Sequence, residues 1–408
     1  MATTTSVSDS TRTTRALYIA FDMGRDSWQF AAGDGGKTRR ELKILRTDLA
    51  QGKRDVIAEI AKARTAFGLA DDAPVHAVYE AGRDGFWFAR WLGSIGVQCL
   101  VIDPCSILVD RRQKQRKNDA IDARALLDVL VRHVTGDRLV RPVAVPPPEA
   151  EDHRQLGRAI HRLGRDRRAL ATRLQSILWS RGIDAHYRTG MQEDFESMRT
   201  GEDRPLDAIT RLELETLCAQ LEVLDKHLYR LEELRTRQVM APATKTQEIA
   251  QRLERLAGIG PIGSWTLAHE LFGWREFKNA KHLGAFLGLA PTPFCSGQMQ
   301  RDQGISKAGP SRLRALLVQL AWLWLVHQPD SALSKWYAER FGPTAKRSRR
   351  VGIVAVARKL AIALWRYAKD GVVPEGAALK PQGPRKIAVP LEKGCRIPHS
   401  ERRKLLAA

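Results

Sequence analysis

Residues 141–149, RPVAVPPPE, place four prolines in nine positions. Proline fixes its own φ, lacks an N–H and pushes the preceding residue out of the helical region. No helix or central strand runs through such a stretch, so it divides the 408-residue chain into parts that fold separately. The two parts differ in periodicity. Ahead of the prolines, short runs rich in β-branched and aromatic residues alternate with helical segments. Behind them the period is helical. The expected fold class is α/β plus all-α: a mixed-sheet domain with helices on its faces, then a helical remainder.

The first part reads in detail as follows. ALYIAFD (16–22) is a buried strand ending in an aspartate; SWQFAA (27–32) and TRRELKIL (38–45) flank a glycine turn as a hairpin. A helix over 47–67 precedes the strand VHAVYE (75–80), which ends in Glu80; another helix precedes VQCLVI (97–102), and the helix carrying KNDAIDARAL (117–126) closes the set. In the second part, 150–181 is an amphipathic helix whose apolar row runs opposite Arg154, Arg158, His161, Arg162 and Arg165. A second long helix over about 206–239 repeats Leu217, Leu221, Leu224, Leu228 and Leu231 with alternating steps of four and three, a short coiled-coil signal. These two helices can pair within one chain, between chains, or both. The expected domains are a disordered tail over 1–15, a sheet domain over 16–140, a helical coiled-coil region over 150–240, a helical domain over 246–369, and a flexible basic tail over 370–408.

Charge narrows the function classes. The formal net charge is +21, and a field of that sign and size points to a polyanionic partner, nucleic acid first. No stretch approaches the roughly 20 apolar residues of a spanning helix, and MATTTSVSDSTRTTRA lacks the apolar core of a signal peptide. The five cysteines are scattered without a C-x-x-C pair, which fits a reducing cytoplasm and argues against structural zinc.

Four acids occupy suggestive positions. Asp22 and Glu80 end strands, and Asp119 and Asp122 lie three apart at a helix start, so the latter pair share a face. Taken singly each has a structural explanation: Asn118 caps the helix, Asp119 and Asp122 complement its dipole, and Asp22 opens a turn. Taken together in strand–helix order, they form a set that hard cations would hold together and that would otherwise repel itself. One or two Mg²⁺ ions, roughly 3.5–4 Å apart if two, would then stabilise the attacking and leaving oxygens of phosphoryl transfer. The preceding run RRQKQRK, with Arg111, Arg112, Lys114, Arg116 and Lys117, is a natural strand-holding element beside such a site.

Two motifs mark the second part. GIGPIG, with Gly258, Gly260 and Gly263, follows a helix rather than a strand, so it is no dinucleotide fingerprint. It reads either as a helix-hairpin-helix turn offering backbone N–H groups to phosphate or as a plain helical hairpin with glycine caps. AFLGLAPTPFCSGQMQRDQGISKAGPSRLRALL (285–317) breaks the helical pattern with a polar loop, and Arg301, Lys307, Arg312 and Arg314 in it suit phosphate. Its Ser296 is a turn serine or a nucleophile, with Cys295, Ser306 and Ser311 as rivals, and no base sits beside it in sequence.

The order D…E…D-x-x-D, with KNDAIDARAL around the last pair, resembles the RuvC-like domain of the DEDD insertion-sequence transposases, also known as bridge-RNA-guided recombinases. LERLAGIGPIGSWTLAHEL, FLGLAPTPFCSG and GISKAGPSRLRALLVQLAW resemble their serine-bearing transposase domain, so the likeness covers about residues 16–330. Pro310 stands where the pattern suggests a more permissive residue, often Asn. The resemblance implies a RuvC/RNase H-like sheet domain, a Mg²⁺ site on Asp22, Glu80, Asp119 and Asp122, and Ser296 as a nucleophile that forms a phosphoserine with DNA. It further implies an element-encoded guide RNA, donor and target double-stranded DNA, a homo-oligomer (dimer or tetramer) whose protomers share the site, and a bacterial cytoplasmic, nucleoid-associated location. Two other readings compete: a RuvC-like resolvase or nuclease that uses water, and a nucleic-acid-binding scaffold that does no chemistry.

Overall fold

Strict alternation along the first strand sets the architecture. In β1 (Leu17–Met23), Leu17, Ile19 and Phe21 face one core and Tyr18 and Ala20 another, so this strand is buried on both faces and takes the centre of its sheet. The computed structural model describes residues 15–36, 38–45, 48–104, 119–136, 140, 142–296, 299–342 and 346–381, with the backbone alone at 119–121, 293–296, 299–303 and 346–347. The chain divides between Pro146 and Pro147 into two compact units.

The first unit is a mixed α/β layer. β1, β2 (Ser27–Gly33) and β3 (Arg40–Leu45) form an antiparallel meander. β4 (Val75–Glu80) joins the other edge of β1 in parallel, and β5 (Gln98–Ile102) joins β4 in parallel. The resulting order is β3-β2-β1-β4-β5, a mixed sheet compatible with the RuvC-like expectation. The two parallel steps need crossovers, supplied by α1 (Leu49–Ala66), capped by Asp48 on the Gln51 N–H at 2.8 Å, and α2 (Trp87–Ser94). Val56, Ile60 and Ala63 of α1 and Phe88 and Leu92 of α2 pack on the Leu17–Ile19–Phe21 face. α3 (Asp119–Val134) covers the opposite face with Ala123, Leu126, Leu127 and Leu130 against Tyr18, Ala20, Val78 and Ile102. Each large apolar side chain so buried contributes roughly 1.5–3 kcal/mol. Ion pairs from Arg124 to Glu41 and from Arg39 to Asp128 fasten α3 to the hairpin strands.

The proline stretch departs from a bare linker at both ends. Pro142 pairs with Ile102, the Val143 N–H donates to the Val101 carbonyl at 2.7 Å, and Val143 and Val145 pack on the sheet core. Pro148 already lies inside α4 (Pro148–Ser180). A proline needs no N–H partner at the first helical position, and its φ suits it.

In the second unit, α4 and α5 (Ala208–Met240) run antiparallel: Arg173 pairs with Glu213 at 2.6 Å, while Arg181 donates to Thr210 and Arg167 meets Asp225. Leu174 and Leu178 pack with Leu214, Leu217 and Leu221. The upper part of the leucine repeat is therefore used within the chain, while Leu224, Leu228 and Leu231 are half-buried. A second core around Trp265, Leu317, Trp324, Leu360 and Leu364 gathers α6 (Lys245–Glu254), α7 (Pro261–Leu267), α8 (Ala280–Phe286), α9 (Ser311–His327), α10 (Ala332–Phe341) and α11 (Lys346–Asp370). After α7, Ala268–Phe272 widen into a π turn.

Two further departures matter. The unit is not all-α, because the polar segment after α8 pairs with itself as β6 (Pro291–Ser296) and β7 (Met299–Ile305). Prolines argue against a strand in sequence, but a two-stranded ribbon is all edge and tolerates them. The flexible tail expected from 370 does not include its first residues. Residues 371–381 are tied back through a Leu256–Leu379 bridge, a Lys380 Nζ bond to the Ile259 carbonyl at 2.8 Å, and Gln328, which bonds Ala257 and Ala378. The remainder of that tail and the tail over 1–14 lie outside the described residues. Among the described residues no helix is long and apolar enough to cross a membrane.

Candidate active site and nucleic-acid interface

The strand register locates the first two acids. Phe21 pairs with Tyr79 in the parallel β1–β4 ladder, so Asp22 and Glu80 follow side by side at the same end of the sheet. Both sit one residue past a position that faces α1 and α2, which puts them on the α3 face. Asp22 is half-buried and pairs across to Gln29 of β2, and Glu80 is exposed. α3 begins at Asp119 and carries Asp122, half-buried, in its first turn, immediately before Ala123 enters the core below. Asp122 thus lies on the helix that covers the face to which Asp22 and Glu80 belong. The Asp119 side chain lies outside the described residues, as do Asn118 and the run containing Arg111, Arg112, Lys114, Arg116 and Lys117. Among the described residues no three His, Cys, Asp or Glu side chains converge on one metal position. The donor set is nonetheless all carboxylate oxygen, the chemistry that a hard divalent cation such as Mg²⁺ requires.

The serine segment is anchored at its base. Ser296 is the last residue of β6 and pairs with Met299, Cys295 pairs with Gln300, and Phe294 pairs with Arg301; the side chains of these residues lie outside the description. Where the ribbon returns to the helices, the Ser306 N–H donates to Ala290 and the Lys307 N–H to Gly288. Lys307 is exposed and holds φ at +55°, a conformation unusual for a side-chain-bearing residue and concentrated at functional sites. Pro310 precedes α9 with φ −65°, and its carbonyl accepts the Arg314 N–H, so proline fits the turn. The Arg314 guanidinium lies over the same turn and reaches the Leu287 and Gly309 carbonyls at 3.4 Å.

Two of the three glycines of GIGPIG have packing explanations. Gly258 holds φ at +84°, and a Cβ there would stand 3.2 Å from the Leu323 carbonyl oxygen; one at Gly263 would stand 3.1 Å from Leu320. Both contacts seat the α6–α7 turn on α9. Around Gly260 there is open space.

The basic face of α4 divides into two groups. Arg154 and Arg158 both bond Glu270 in the π turn, at 2.9 Å and 2.8 Å through their Nε atoms, and Arg312 at the start of α9 reaches the same carboxylate at 3.5 Å. Arg162 and Arg165 are exposed further along. Burial pushes the Glu270 carboxyl up, but Arg158, Arg154 and Arg312 outweigh it and hold it below the usual glutamate value. His269 beside it is 1% exposed, lies tilted against Trp265 with ring centroids 3.9 Å apart, and has no hydrogen-bond partner among the described residues on either ring nitrogen. Burial, with His153 close by, pushes its pKa down to about 3. Sequence reading had no route to Glu270: its partner Arg154 lies 116 residues away, and nothing in AHELF marks it.

The comparisons with known proteins agree with one another. Residues 250–336 match the model of the family described as "Transposase IS116/IS110/IS902 family". A Sinorhizobium fredii protein named as a transposase, y4rJ, is 34% identical over 380 residues, which are 90% of this chain and 95% of that protein. The transposase for insertion sequence element IS1328 of Yersinia enterocolitica is 27% identical over 87% of this chain and 97% of its own length. That for IS1111A of Coxiella burnetii is 25% identical over 81% and 90%.

Proposed function

This chain belongs to the IS116/IS110/IS902 family of transposases, and from that premise we propose that it is the RNA-guided recombinase of an insertion sequence, cutting and rejoining DNA through a serine nucleophile. The observation that carries the reading is the register that sets Asp22 beside Glu80 at one sheet end, on the face covered by the helix that begins at Asp119.

Asp22, Glu80, Asp119 and Asp122 would hold Mg²⁺, which when bound supplies charge stabilisation at the phosphoryl oxygens. Ser296 attacks a DNA phosphodiester. Its Oγ–P bond forms as the P–O bond to one sugar breaks; the serine gives up its proton and the released sugar oxygen takes one up. The phosphoserine keeps the phosphodiester energy, so the reverse attack by a new sugar hydroxyl rejoins DNA without an outside energy source. The chain's net charge of +21 suits a protein that holds a guide RNA together with donor and target duplexes, reading backbone and shape while base pairing reads sequence. A homo-oligomer, dimer or tetramer, completes the proposal.

The test is a denaturing gel of the protein with its cognate RNA, labelled donor and target DNA and Mg²⁺, with Ser296→Ala alongside. The expected result is a protein–DNA adduct that vanishes in the variant. Cleaved DNA without an adduct in either lane would replace this reading with hydrolysis by a RuvC-like nuclease. Unmodified DNA bound with steep salt dependence would favour a scaffold.

A further inference from the structure

One carboxylate on the π turn gathers more cations than it can neutralise. Glu270 accepts from Arg154 and Arg158, and from Arg312 at the longer 3.5 Å, while Arg275 donates to its backbone carbonyl. Glu151 acts on Arg158 as a second, more distant anion. The surplus is positive and partly dehydrated. Arg154 is one-tenth exposed along its side chain, with one nitrogen buried and without a partner among the described residues; Arg158 and Arg312 are about one-third exposed. Burial first, and then Arg158, Arg154 and Arg162, push the Arg312 guanidinium down against the pull of Glu270. Burial and the cations Arg312, Arg168 and Arg165 lower His161 in the same way. A fold that holds unbalanced guanidinium groups this close bears a desolvation cost that an incoming anion relieves.

The geometry gives that anion a seat. Arg312 is the second residue of the 17-residue α9, whose N-cap Pro310 makes no side-chain bond to the first turn, so the positive end of that helix adds to the guanidinium field. Arg158 and Arg162 are one turn apart on α4, on the same face. Arg312 is also held to the Gly157 carbonyl at 3.3 Å. Its long contact to Glu270 is the one most easily exchanged for a stronger acceptor.

We propose that Glu270 is the positioning residue of a phosphodiester-binding site formed by Arg158, Arg162 and Arg312, and that the occupant is the sugar-phosphate backbone of a nucleic acid. Glu270 fixes the Arg158 fork and keeps Arg312 within reach of the same phosphate; Arg154 is the buried strut beneath them. This rests on the nucleic-acid reading of the proposed function and adds to it the residues that grip the strand.

The experiment uses the full chain, a labelled 30-bp duplex of arbitrary sequence and a single-stranded RNA of equal length, with affinity followed by fluorescence anisotropy across a KCl series. Arg162→Gln and Arg312→Gln should each reduce the slope of log K against log salt by about 0.9 on the duplex or about 0.7 on the single strand. The arm that changes identifies the strand held. Arg188→Gln, on an exposed loop of the same unit and paired to Asp194, should leave the slope unchanged. Glu270→Asp keeps the charge and shortens the reach. It should weaken binding about tenfold, the equivalent of one charge-assisted bond, with far-ultraviolet circular dichroism confirming that it is folded. Slopes that fall no further for Arg162→Gln and Arg312→Gln than for Arg188→Gln, on either strand, overturn the site. Wild-type protein with no salt-dependent binding overturns both the site and the nucleic-acid reading. Reduced slopes in a protein that forms no serine adduct keep the site and reject the serine mechanism.

Discussion

Replacing Glu270 with glutamine removes one largely buried negative charge, its side chain 12% exposed, and leaves the shape of the side chain. Arg158 and Arg312, at 38% and 33% side-chain exposure, can turn to water; Arg154, at 10%, cannot. Charge-assisted bonds contribute roughly 1.5–3 kcal/mol each, and orphaning a fully buried partner costs roughly 3–5 kcal/mol. With Arg154 alone stranded, the expected loss is about 2–4 kcal/mol, bounded by those two figures. For a unit of this size that lowers the thermal midpoint by roughly 4–16 °C. The assay is a thermal melt followed at 222 nm. Adding Arg154→Met should return part of the loss, because the stranded charge goes with it. The pH dependence has a defined sign. The folded-state Glu270 carboxyl lies below its ordinary 4.5, so its contribution is complete above that value and fades as the pH falls through the folded-state value. The gap between wild type and Glu270→Gln should therefore narrow on acidification. A single variant within about 0.5 kcal/mol of wild type, the range of an ordinary surface change, would refute the claim that this carboxylate balances buried charge.

Other outcomes follow from the same geometry. Asp119→Ala should abolish strand cleavage on a gel while RNA binding persists; retained cleavage would remove the metal assignment. Gly258→Ala should cost about 1–3 kcal/mol in a urea titration, since φ is +84° and the new methyl meets the Leu323 carbonyl at 3.2 Å; an unchanged midpoint would mean that the α6–α7 turn adjusts freely. Ending the chain after Asp370 should lower the melting midpoint more than ending it after Pro381. The shorter form strips Gln328, 1% exposed, of its bonds to Ala378 and removes the Lys380 bond to Ile259, and buried groups so orphaned cost about 1–3 kcal/mol each. Equal midpoints would show that 371–381 contribute nothing to the fold.

Sequence alone determined the local elements and their order. Alternation in ALYIAFD and VHAVYE, the glycine turn before TRRELKIL, and the i, i+3 and i, i+4 rows of the long helices are short-range signals, and the structure carries strands and helices there. Strand ends put Asp22 and Glu80 at turns, and helix spacing put Asp119 and Asp122 on one face. Tertiary structure decided which strands are neighbours: β1 pairs with β2 on one edge and with the distant β4 on the other, and only that register brings Asp22 beside Glu80. It decided that Leu217 and Leu221 pack within the chain, where the repeat itself allowed either partner. It made a β ribbon of a segment that read as loop, because a ribbon forms between residues whose pairing no single position announces. It also divided the arginines of α4, joining Arg154 and Arg158 to Glu270 and leaving Arg162 exposed. A cation's helical spacing is written in the chain; whether it meets a carboxylate or water depends on what the fold brings opposite it.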